Sequence, residues 1–477
     1  MDACTALKLK YITVEPILLL YMLIIFMESN ALQELIFIKS CLKIHHPVNI
    51  SFCDYAKKGN LTDALNEATS WMRYNSAVLS LFTFITSFYV AAWCDKFGRK
   101  IPMLIPPIGT AIAAVINCVL SSYIETHVAF FLVSSCVSGL TFGSVGIIAA
   151  TFGFISDVCG EQSRTKRIVI LEAMIFFGGT FGIYAAGAFL NGVDYNNRFN
   201  NFSKLFLTEA VIAIIILLYT FIRIHARSTN DFTPITCATL FKLSHVRDSL
   251  RTIFRVRDGN GRRNVLLMLL ALIFIYLGTV VQFTLSFYYV KTLEWSFTKF
   301  SNYNSIQFAV EGIALLFGLP TLFHFFHVPD YFVGIIGILS KVAGFIVFGL
   351  SKNDAMIYSC AALFIFSEFP VPVLRSMLSK TVDADEKGRI FAFATILQNL
   401  SYFLGSLTLT TIFKNTESFF PGLCFEVAAG LQVLALLIFL FLYATRHDIV
   451  TVYEIMENED GCTDETCHVI AATGAIN

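Results

Sequence analysis

The sequence predicts an all-α membrane protein with twelve transmembrane helices, arranged as two pseudo-symmetric bundles of six. Hydrophobic residues make up 56% of its 477 positions, and charged residues only 14%. About twelve apolar segments are each long enough, at roughly 20 residues, to cross the hydrocarbon core of a bilayer as a helix. A long polar interval, residues 226–264, separates the first six segments from the last six.

The spans follow one another closely along the chain. In order they cover residues 14–38, 72–93, 101–122, 128–156, 166–190, 204–225, 265–290, 302–326, 331–350, 355–379, 389–413 and 421–445. This order predicts four regions: an N-terminal six-helix bundle (1–226), a basic cytosolic linker (227–264), a C-terminal six-helix bundle (265–446) and a cytosolic tail (447–477). The arginine-rich linker suits a loop that lies on anionic lipid headgroups.

The basic residues predict that both termini are cytosolic. With that orientation the cytosolic loops carry about twice as many lysines and arginines as the opposite loops, in keeping with the positive-inside rule. Three glycosylation sequons, at Asn49, Asn60 and Asn201, all fall in loops on the opposite side. Cys41 and Cys53 lie close together in the first of these loops, and the sequence allows either a disulfide or two free thiols.

Motifs for catalysis and for cofactors are not found. The twelve cysteines lack the paired spacing of a zinc site, so we expect no metal. The sequence contains neither a P-loop nor a cluster of nucleophile and base, so an ATP-driven pump and an enzyme are not predicted, and no cofactor is expected. The formal net charge of zero gives no reason to expect a nucleic-acid partner.

The loop after span two, within AAWCDKFGRK, contains Asp95, Gly98 and Arg99. Gly98 permits the sharp turn that a short connection needs, and the two charged residues can form ion pairs that hold one conformation and break in another. Spans four and ten end in matching acid-acid-base triplets, of which the first begins at Asp157 and ends at Arg164. The D-x-x-G-R arrangement resembles the loop signature of the major facilitator superfamily. We therefore expect gating roles for Asp95, Gly98, Arg99, Asp157 and Arg164.

A closer resemblance covers most of the chain. It rests on short segments in a specific order: TVEP at 13–16, LEA at 171–173, VLRSMLSK at 373–380 and FPG at 420–422. Together with the sequon-bearing first loop, these resemble solute carrier family 46, the proton-coupled folate transporter group, and particularly its lysosomal branch. The resemblance implies a secondary active transporter in the lysosomal or plasma membrane. It would carry an organic anion, such as a folate, a muropeptide or a bulky conjugate, together with protons by alternating access.

Two positions depart from the pattern of that family. Leu277 stands where the folate transporter has a histidine that tunes proton coupling, and Gln282 is the nearest polar residue. Glu294 replaces the cysteine that usually precedes Trp295, so the family's disulfide between outer loops is not expected. Folate specificity is therefore not implied.

Span ten combines charged and helix-disrupting residues in SEFPVPVLRSMLSK, residues 367–380. Arg375 is predicted to bind substrate, because an arginine inside the membrane costs about 2.5–3.5 kcal/mol and needs a partner or water. Glu368 lies two turns away, so a direct pair with Arg375 requires a bend, which Pro370 and Pro372 can supply. The sequence thus predicts a kinked, cavity-lining helix. The alternative is that Arg375 extends to the lipid headgroups.

Other ionisable residues also lie within predicted spans. Glu172 matches an acidic position that members of the resembled family use in proton coupling. Its alternative role is an ion pair with a basic residue that precedes it, Arg164 or Arg167. Further candidates for substrate or proton binding are Glu28, Glu311 and Lys341. A pair between the last two is conceivable.

Glycines four residues apart occur in two neighbouring spans. They are Gly139 and Gly143 in span four, and Gly178 and Gly182 in span five. Small residues at this spacing let two membrane helices approach closely. We expect these glycines to lie at helix contacts.

The C-terminal tail contains YEIM, from Tyr453 to Met456. This pattern resembles the tyrosine-based signals that direct proteins to endosomes and lysosomes, and it would bind sorting adaptors from the cytosol. The other expected partners are a small organic solute, protons and the bilayer.

A second function remains open on the sequence alone. The protein could be a non-transporting receptor or scaffold that senses a ligand in the same cavity. Loss of the charged interior would favour that reading, whereas the presence of Glu172 and Arg375 favours transport.

Overall fold

The described residues of the computed structural model are almost entirely helical. They comprise residues 13–45, 52–53, 58–123, 125–158, 161–191, 198–224, 260–324, 326, 328–382 and 387–445, and no strand occurs among them. The helices are α1 (Glu15–Ile44), α2 (Lys58–Phe97), α3 (Lys100–Ser122), α4 (Phe131–Leu140), α5 (Gly143–Val158), α6 (Glu161–Leu190), α7 (Arg198–Arg223), α8 (Gly261–Thr284), α9 (Ser286–Lys291), α10 (Phe297–Ile313), α11 (Leu319–His324), α12 (Asp330–Gly349), α13 (Asp354–Leu363), α14 (Pro370–Thr381), α15 (Lys387–Thr416) and α16 (Leu423–Ala444).

Ten helical segments among the described residues are long and apolar enough to cross a membrane. Two of them join elements that lie end to end: α4 with α5, and α10 with α11. The two other predicted spans fall on α2, a 40-residue helix, and on the consecutive short helices α13 and α14. The prediction of a multi-pass, all-helical membrane protein is confirmed.

Helix packing repeats between the two halves of the chain, here called the N-terminal bundle (α1–α7) and the C-terminal bundle (α8–α16). In the N-terminal bundle α1 packs on α6 and α3 packs on α7; the corresponding pairs in the C-terminal bundle are α8 with α15 and α12 with α16. Between the bundles α2 packs on α15, and α6 packs on α10. This correspondence is the pseudo-symmetry that the sequence predicted. The exact domain boundaries stay a prediction, because residues 225–259 and 446–477 lie outside the described residues.

The apolar cores show how the bundles meet. One cluster combines both bundles, with Phe37 of α1 packed among residues such as Phe287 and Phe413. The buried residues of the second cluster all belong to the C-terminal bundle, and those of the third all belong to the N-terminal bundle. The shared core lies at the end of the bundles that carries Cys41, here called the sealed end. Toward the opposite end, which carries Arg99 and Arg375 and is here called the open end, each bundle has its own core.

Two of the predicted spans contain breaks. Span four is interrupted between α4 and α5, where Phe142 and Gly143 have positive φ angles of 71° and 50°. Span ten is interrupted between α13 and α14, and Pro370 is the first residue of α14. The break predicted in span ten is confirmed, but its mechanism differs. Pro370 and Pro372 fall in the first turn of a new helix, where backbone N–H groups have no helical partner, so neither proline disrupts a hydrogen-bond ladder.

The predicted small-residue contacts are also confirmed. A Cβ atom at Gly182 would lie 2.2 Å from the carbonyl oxygen of Leu23 in α1, and one at Gly178 would lie 2.6 Å from that of Leu19. In span four a Cβ at Gly139 would lie 2.7 Å from the Cβ of Phe82. The two glycines of α6 therefore let its backbone touch the backbone of α1.

Replacing Gly182 with valine is expected to destabilise the protein by about 3 kcal/mol, at the upper end of the usual cost of overpacking, because the carbonyl of Leu23 belongs to a helix backbone and cannot move aside locally. The yield of monodisperse protein and the midpoint of thermal unfolding measure this effect. Gly430→Val is the matched control, since a Cβ at Gly430 in α16 would meet no atom within 4 Å. If both variants lose yield and thermal stability equally, the β-branched side chain, and not the α1–α6 contact, is responsible.

Candidate functional site

An ion pair joins the two bundles near the open end. The Nη1 atom of Arg375, in α14, donates a hydrogen bond to Oε1 of Glu172, in α6, over 3.1 Å. The hydroxyl of Tyr276, in α8, lies close enough to Arg375 to act on it electrostatically. The Arg375 side chain is 31% exposed and that of Glu172 is 16% exposed. Both members of this inter-bundle pair are thus partly exposed.

The partners of these residues differ from those considered from the sequence. Arg167 does not pair with Glu172; its guanidinium bonds to Glu15 at the start of α1, at 2.5 and 3.0 Å. The Arg164 side chain lies outside the described residues. Glu368 does not pair with Arg375 in this structure. The break before α14 turns Arg375 toward the N-terminal bundle instead.

A second group of polar residues lies inside the C-terminal bundle. Lys341 of α12 donates to Glu368, with 2.8 Å between Nζ and Oε1, so the conceivable Glu311–Lys341 pair is replaced by a Lys341–Glu368 pair. Glu311 of α10 instead accepts hydrogen bonds from Gln307 (2.9 Å) and Gln282 (3.3 Å). Lys341 and Glu311 are buried.

Glu368 connects the two groups. It acts electrostatically on Glu172 of the N-terminal bundle and on Glu311 within its own bundle. The connected network therefore contains three carboxyl groups but two cationic side chains, Lys341 and Arg375. An uncompensated negative charge is costly at low dielectric, and one proton would balance the network.

Four phenylalanines form an aromatic cluster between the bundles: Phe26, Phe176, Phe283 and Phe308. The ring centroid of Phe308 lies 4.9 Å from that of Phe26, 5.9 Å from that of Phe283 and 6.1 Å from that of Phe176. Phe176 is four residues after Glu172 on the same helix, so the cluster lies one turn beyond the ion pair, toward the sealed end. An apolar aromatic surface thus adjoins a cationic group.

The order and packing of these helices match a known family. A family model described as the Major Facilitator Superfamily matches residues 60–406 of the chain. The chain belongs to the Major Facilitator Superfamily.

Among the members of the superfamily, the chain is similar to two kinds of proton-coupled transporter. The chain is 26% identical, over 457 residues, to the lysosomal proton-coupled steroid conjugate and bile acid symporter of Gallus gallus, covering 91% of this chain and 95% of that protein. It is also 26% identical, over 368 residues, to the proton-coupled folate transporter of Rattus norvegicus, covering 76% of each chain. The resemblance to solute carrier family 46 is confirmed, and the protein is a membrane transporter and not an enzyme.

Solved structures agree on the superfamily fold. The crystal structure of the D-xylose-proton symporter superposes with a TM-score of 0.64 at 18% identity, covering 89% of this chain and 96% of that chain. The human organic anion transporter MFSD10 gives a TM-score of 0.59 at 16% identity, covering 89% of this chain and 97% of that one.

The superfamily loop after α2 has the backbone that the sequence predicted. Gly98 has a positive φ of 68°. Arg99 donates from Nε to Oδ2 of Asp157 over 2.9 Å, which joins the start of α3 to the end of α5. The side chains of Asp95 and Arg164 lie outside the described residues. Gating roles for this superfamily loop remain a prediction.

The structure describes some of the cysteines and glycosylation sequons predicted on the outer side. Cys41 and Cys53 form a disulfide, with 6.0 Å between their Cα atoms, so the open choice is settled in favour of a bond. Asn49 and the side chain of Asn60 lie outside the described residues, as do Tyr453 to Met456. Asn201 was predicted in a loop, but it lies in the first turn of α7, where its Nδ2 donates to the carbonyl of Phe189 over 2.9 Å. A glycan at Asn201 would have to displace this bond.

Several polar residues near these groups were missed from the sequence. Tyr276 was not considered because tyrosine is common in apolar spans and its position beside Arg375 depends on how α8 meets α14. Gln307 carried a weak signal, being an amide four residues before Glu311. Glu209, which is fully buried in α7, was detectable as a lone acid within span six. Glu28, by contrast, was predicted, and its Oε1 accepts a hydrogen bond from Nδ2 of Asn117 over 2.8 Å.

Proposed function

We propose that the protein is a proton-coupled symporter that moves an organic anion by alternating access of its two bundles. The observation that supports this most directly is the Arg375–Glu172 ion pair, because its members belong to opposite bundles. An interaction of this kind can form in one state of the transport cycle and break in another. Of the curated relatives named above, one is a proton-coupled symporter and the other a proton-coupled transporter, which agrees with this proposal.

The ion pair suggests how proton and anion would be coupled. An anionic substrate that binds the guanidinium of Arg375 competes with Glu172 for the same donor. Once released, Glu172 is a carboxylate in surroundings of low dielectric, where taking up a proton is favourable. Anion and proton therefore bind together. When both leave, the ion pair between Glu172 and Arg375 forms again.

The aromatic cluster supports a particular class of anion. A substrate whose charged group binds Arg375 would place its body against Phe176 and Phe308, one turn away. Aromatic faces favour apolar ring systems over hydrated polar chains. We therefore favour a bulky conjugate with an anionic group. Among the relatives, this class corresponds to the steroid conjugates and bile acids named for the Gallus gallus protein.

The proposed orientation follows from the loop charges, which make the open end cytosolic. Both termini would then be cytosolic, the linker 227–264 would join the bundles on that side, and the described state would face inward. A location in the lysosomal or plasma membrane is part of the proposal. Adaptor binding by Tyr453 to Met456 would distinguish between them.

Glu172→Gln is expected to uncouple transport from protons. The amide resembles a permanently protonated carboxyl, so substrate can still reach Arg375, but no proton is carried with it. In proteoliposomes, accumulation of radiolabelled taurocholate under an inward proton gradient should fall to the level without a gradient. Exchange of taurocholate between equal internal and external concentrations should persist.

Glu15→Gln serves as the matched control, because Glu15 also pairs with an arginine, Arg167, but within one bundle. An identical dependence on external pH in wild type and Glu172→Gln would contradict the coupling role. Binding of taurocholate without accumulation or exchange, in wild type, would instead support a receptor.

A further inference from the structure

The N-terminal bundle encloses a carboxyl group that the Arg375 network does not use. Glu209 of α7 has no exposed surface. Neither of its side-chain oxygens has a hydrogen-bond partner within the part of the chain that the structure describes. A buried carboxylate with neither a donor nor a cation beside it is strongly disfavoured, whereas the neutral acid is tolerated.

The side-chain oxygen of Asn117, in α3, has no hydrogen-bond donor among the described residues. Its Nδ2 donates to Glu28 of α1, but its Oδ1 is buried and accepts no hydrogen bond among the described residues. Asn117 itself has no exposed surface. Buried amide oxygens nearly always accept a hydrogen bond, so we expect a hydrogen-bond donor next to the Asn117 oxygen.

The helix contacts bring Glu209 to the level of this amide. Near the sealed end, Ser203 Oγ of α7 lies 2.9 Å from Ser121 Oγ of α3. Toward the open end, Lys100 Nζ of α3 donates to the carbonyl of Phe221 in α7 over 2.9 Å. Because the two helices are antiparallel, this register puts Glu209 within about one turn of Asn117. Glu28 acts electrostatically on Glu209.

We propose that Glu28, Asn117 and Glu209 form a proton-binding site inside the N-terminal bundle, with the proton held on Glu209. A protonated Glu209 supplies the missing O–H donor to the Asn117 oxygen or to Glu28. Proton binding converts the carboxylate to the neutral acid, and release returns the proton to water. The site lies between α1, α3 and α7, whereas the Arg375 network lies between α6 and the C-terminal bundle.

Other ionisable groups on the helices that pack against α7 are already engaged or point away. On α1, Tyr21 is hydrogen-bonded to Thr110 (3.2 Å), and Lys39 donates to three backbone carbonyls at and just after the end of α3. Glu34, also on α1, pairs with Lys291. On α6, Glu172 pairs with Arg375, and Tyr184 is exposed.

Arg167, also on α6, pairs with Glu15 near the open end. On α3, Lys100 bonds to the Phe221 carbonyl, and Cys118 is half-buried. Among the side chains that the structure describes, no cation is therefore positioned by these contacts to compensate an ionised Glu209. Glu28, the carboxyl group that acts electrostatically on Glu209, is half-buried.

Infrared difference spectroscopy of the substrate-free protein in liposomes tests occupancy of the site directly. Wild type should show a protonated-carboxyl band at neutral pH that Glu209→Gln loses, that Glu209→Asp moves, and that Glu28→Gln shifts. Glu426→Gln, at a half-buried carboxyl of α16, should leave this band unchanged. An unchanged band in a folded Glu209→Gln protein would mean that Glu209 is ionised, and would overturn the proposal.

A transport measurement tests whether the site works in the cycle, which is the only part that rests on the proposed function. Proton-driven accumulation of taurocholate by Glu209→Gln should fall at least ten-fold, and its optimum external pH should move, while exchange persists. If Glu209→Gln loses the band but transports taurocholate like wild type at every pH, the proton at this site is structural and takes no part in transport, which contradicts a role in the cycle. If wild type itself transports no taurocholate or folate, the proposed function fails, but the spectroscopic result still stands.

Discussion

Replacing Arg375 with alanine is expected to lower the uptake of an anionic conjugate such as taurocholate by at least about 100-fold. The substitution removes the partly exposed cation to which the anionic group of the substrate is proposed to bind. Removing one partner of a buried, hydrogen-bonded charge contact between protein and ligand costs roughly 2–5 kcal/mol of binding free energy, and about 3 kcal/mol corresponds to about two orders of magnitude in affinity. Uptake by proteoliposomes measures the effect. The abundance of folded protein should remain near that of wild type.

A charge exchange separates a structural role from recognition of the anion. In the double variant Arg375→Glu with Glu172→Arg, the inter-bundle pair can form again with its charges reversed. If the pair only holds the bundles together, this variant recovers both stability and uptake. We expect recovered stability but no uptake, because the cation then lies on α6, away from the position that Tyr276 and α14 define. Wild-type uptake by the exchanged variant would contradict substrate binding at Arg375.

Replacing Lys291 with methionine is expected to open the sealed end. Lys291 of α9 and Glu34 of α1 are both buried, belong to opposite bundles and lie 4.0 Å apart between Nζ and Oε2. The same Nζ lies 4.8 Å from the ring centroid of Phe37. Removing the cation takes away an attraction between the bundles, and losing one member of a buried ion pair costs about 3–5 kcal/mol, here in the closed arrangement. A change of about 3 kcal/mol alters a two-state population roughly 100-fold.

The separation of the two bundles at the sealed end reports this shift. Spin labels carried by unnatural amino acids at Ile44 and Phe419, which are 39% and 72% exposed, would mark α1 and the end of α15. Their distance distribution should gain a longer component in Lys291→Met. An unaltered distribution would show that the Glu34–Lys291 pair does not hold the sealed end.

Lys43→Met is the matched control for that experiment. Lys43 pairs with Glu67 over 3.3 Å at the same end, but both residues belong to the N-terminal bundle and Lys43 is largely exposed. A hydrogen bond from Trp71, together with Lys43, lowers the pKa of Glu67, so this carboxyl group is ionised at neutral pH. Exposed pairs contribute about 0–1 kcal/mol. The control should leave the label distances unchanged.

Much of the architecture could be predicted because it depends on local patterns. Apolar length and sparse charge identify helices that cross a membrane, since backbone groups in hydrocarbon must be satisfied within each segment. The break in span ten and the positive φ of Gly98 follow equally from single residues. The close approach of α6 to α1 was readable from Gly178 and Gly182, because glycine spacing alone decides whether backbones can touch.

The partners of the charged side chains depended on tertiary structure. Residue types showed that Arg375, Glu368, Lys341 and Glu311 each needed a partner, but helix rotation and the break before α14 decided which partner each one met. That choice joined Arg375 to Glu172 across the bundles and Lys341 to Glu368 within one. Composition and periodicity thus determined the membrane fold and its candidate charges. Only packing decided the pairs, because ion pairs and hydrogen bonds act over a few ångströms, whereas the sequence separates Lys341 from Glu368 by 27 positions and Arg375 from Glu172 by 203.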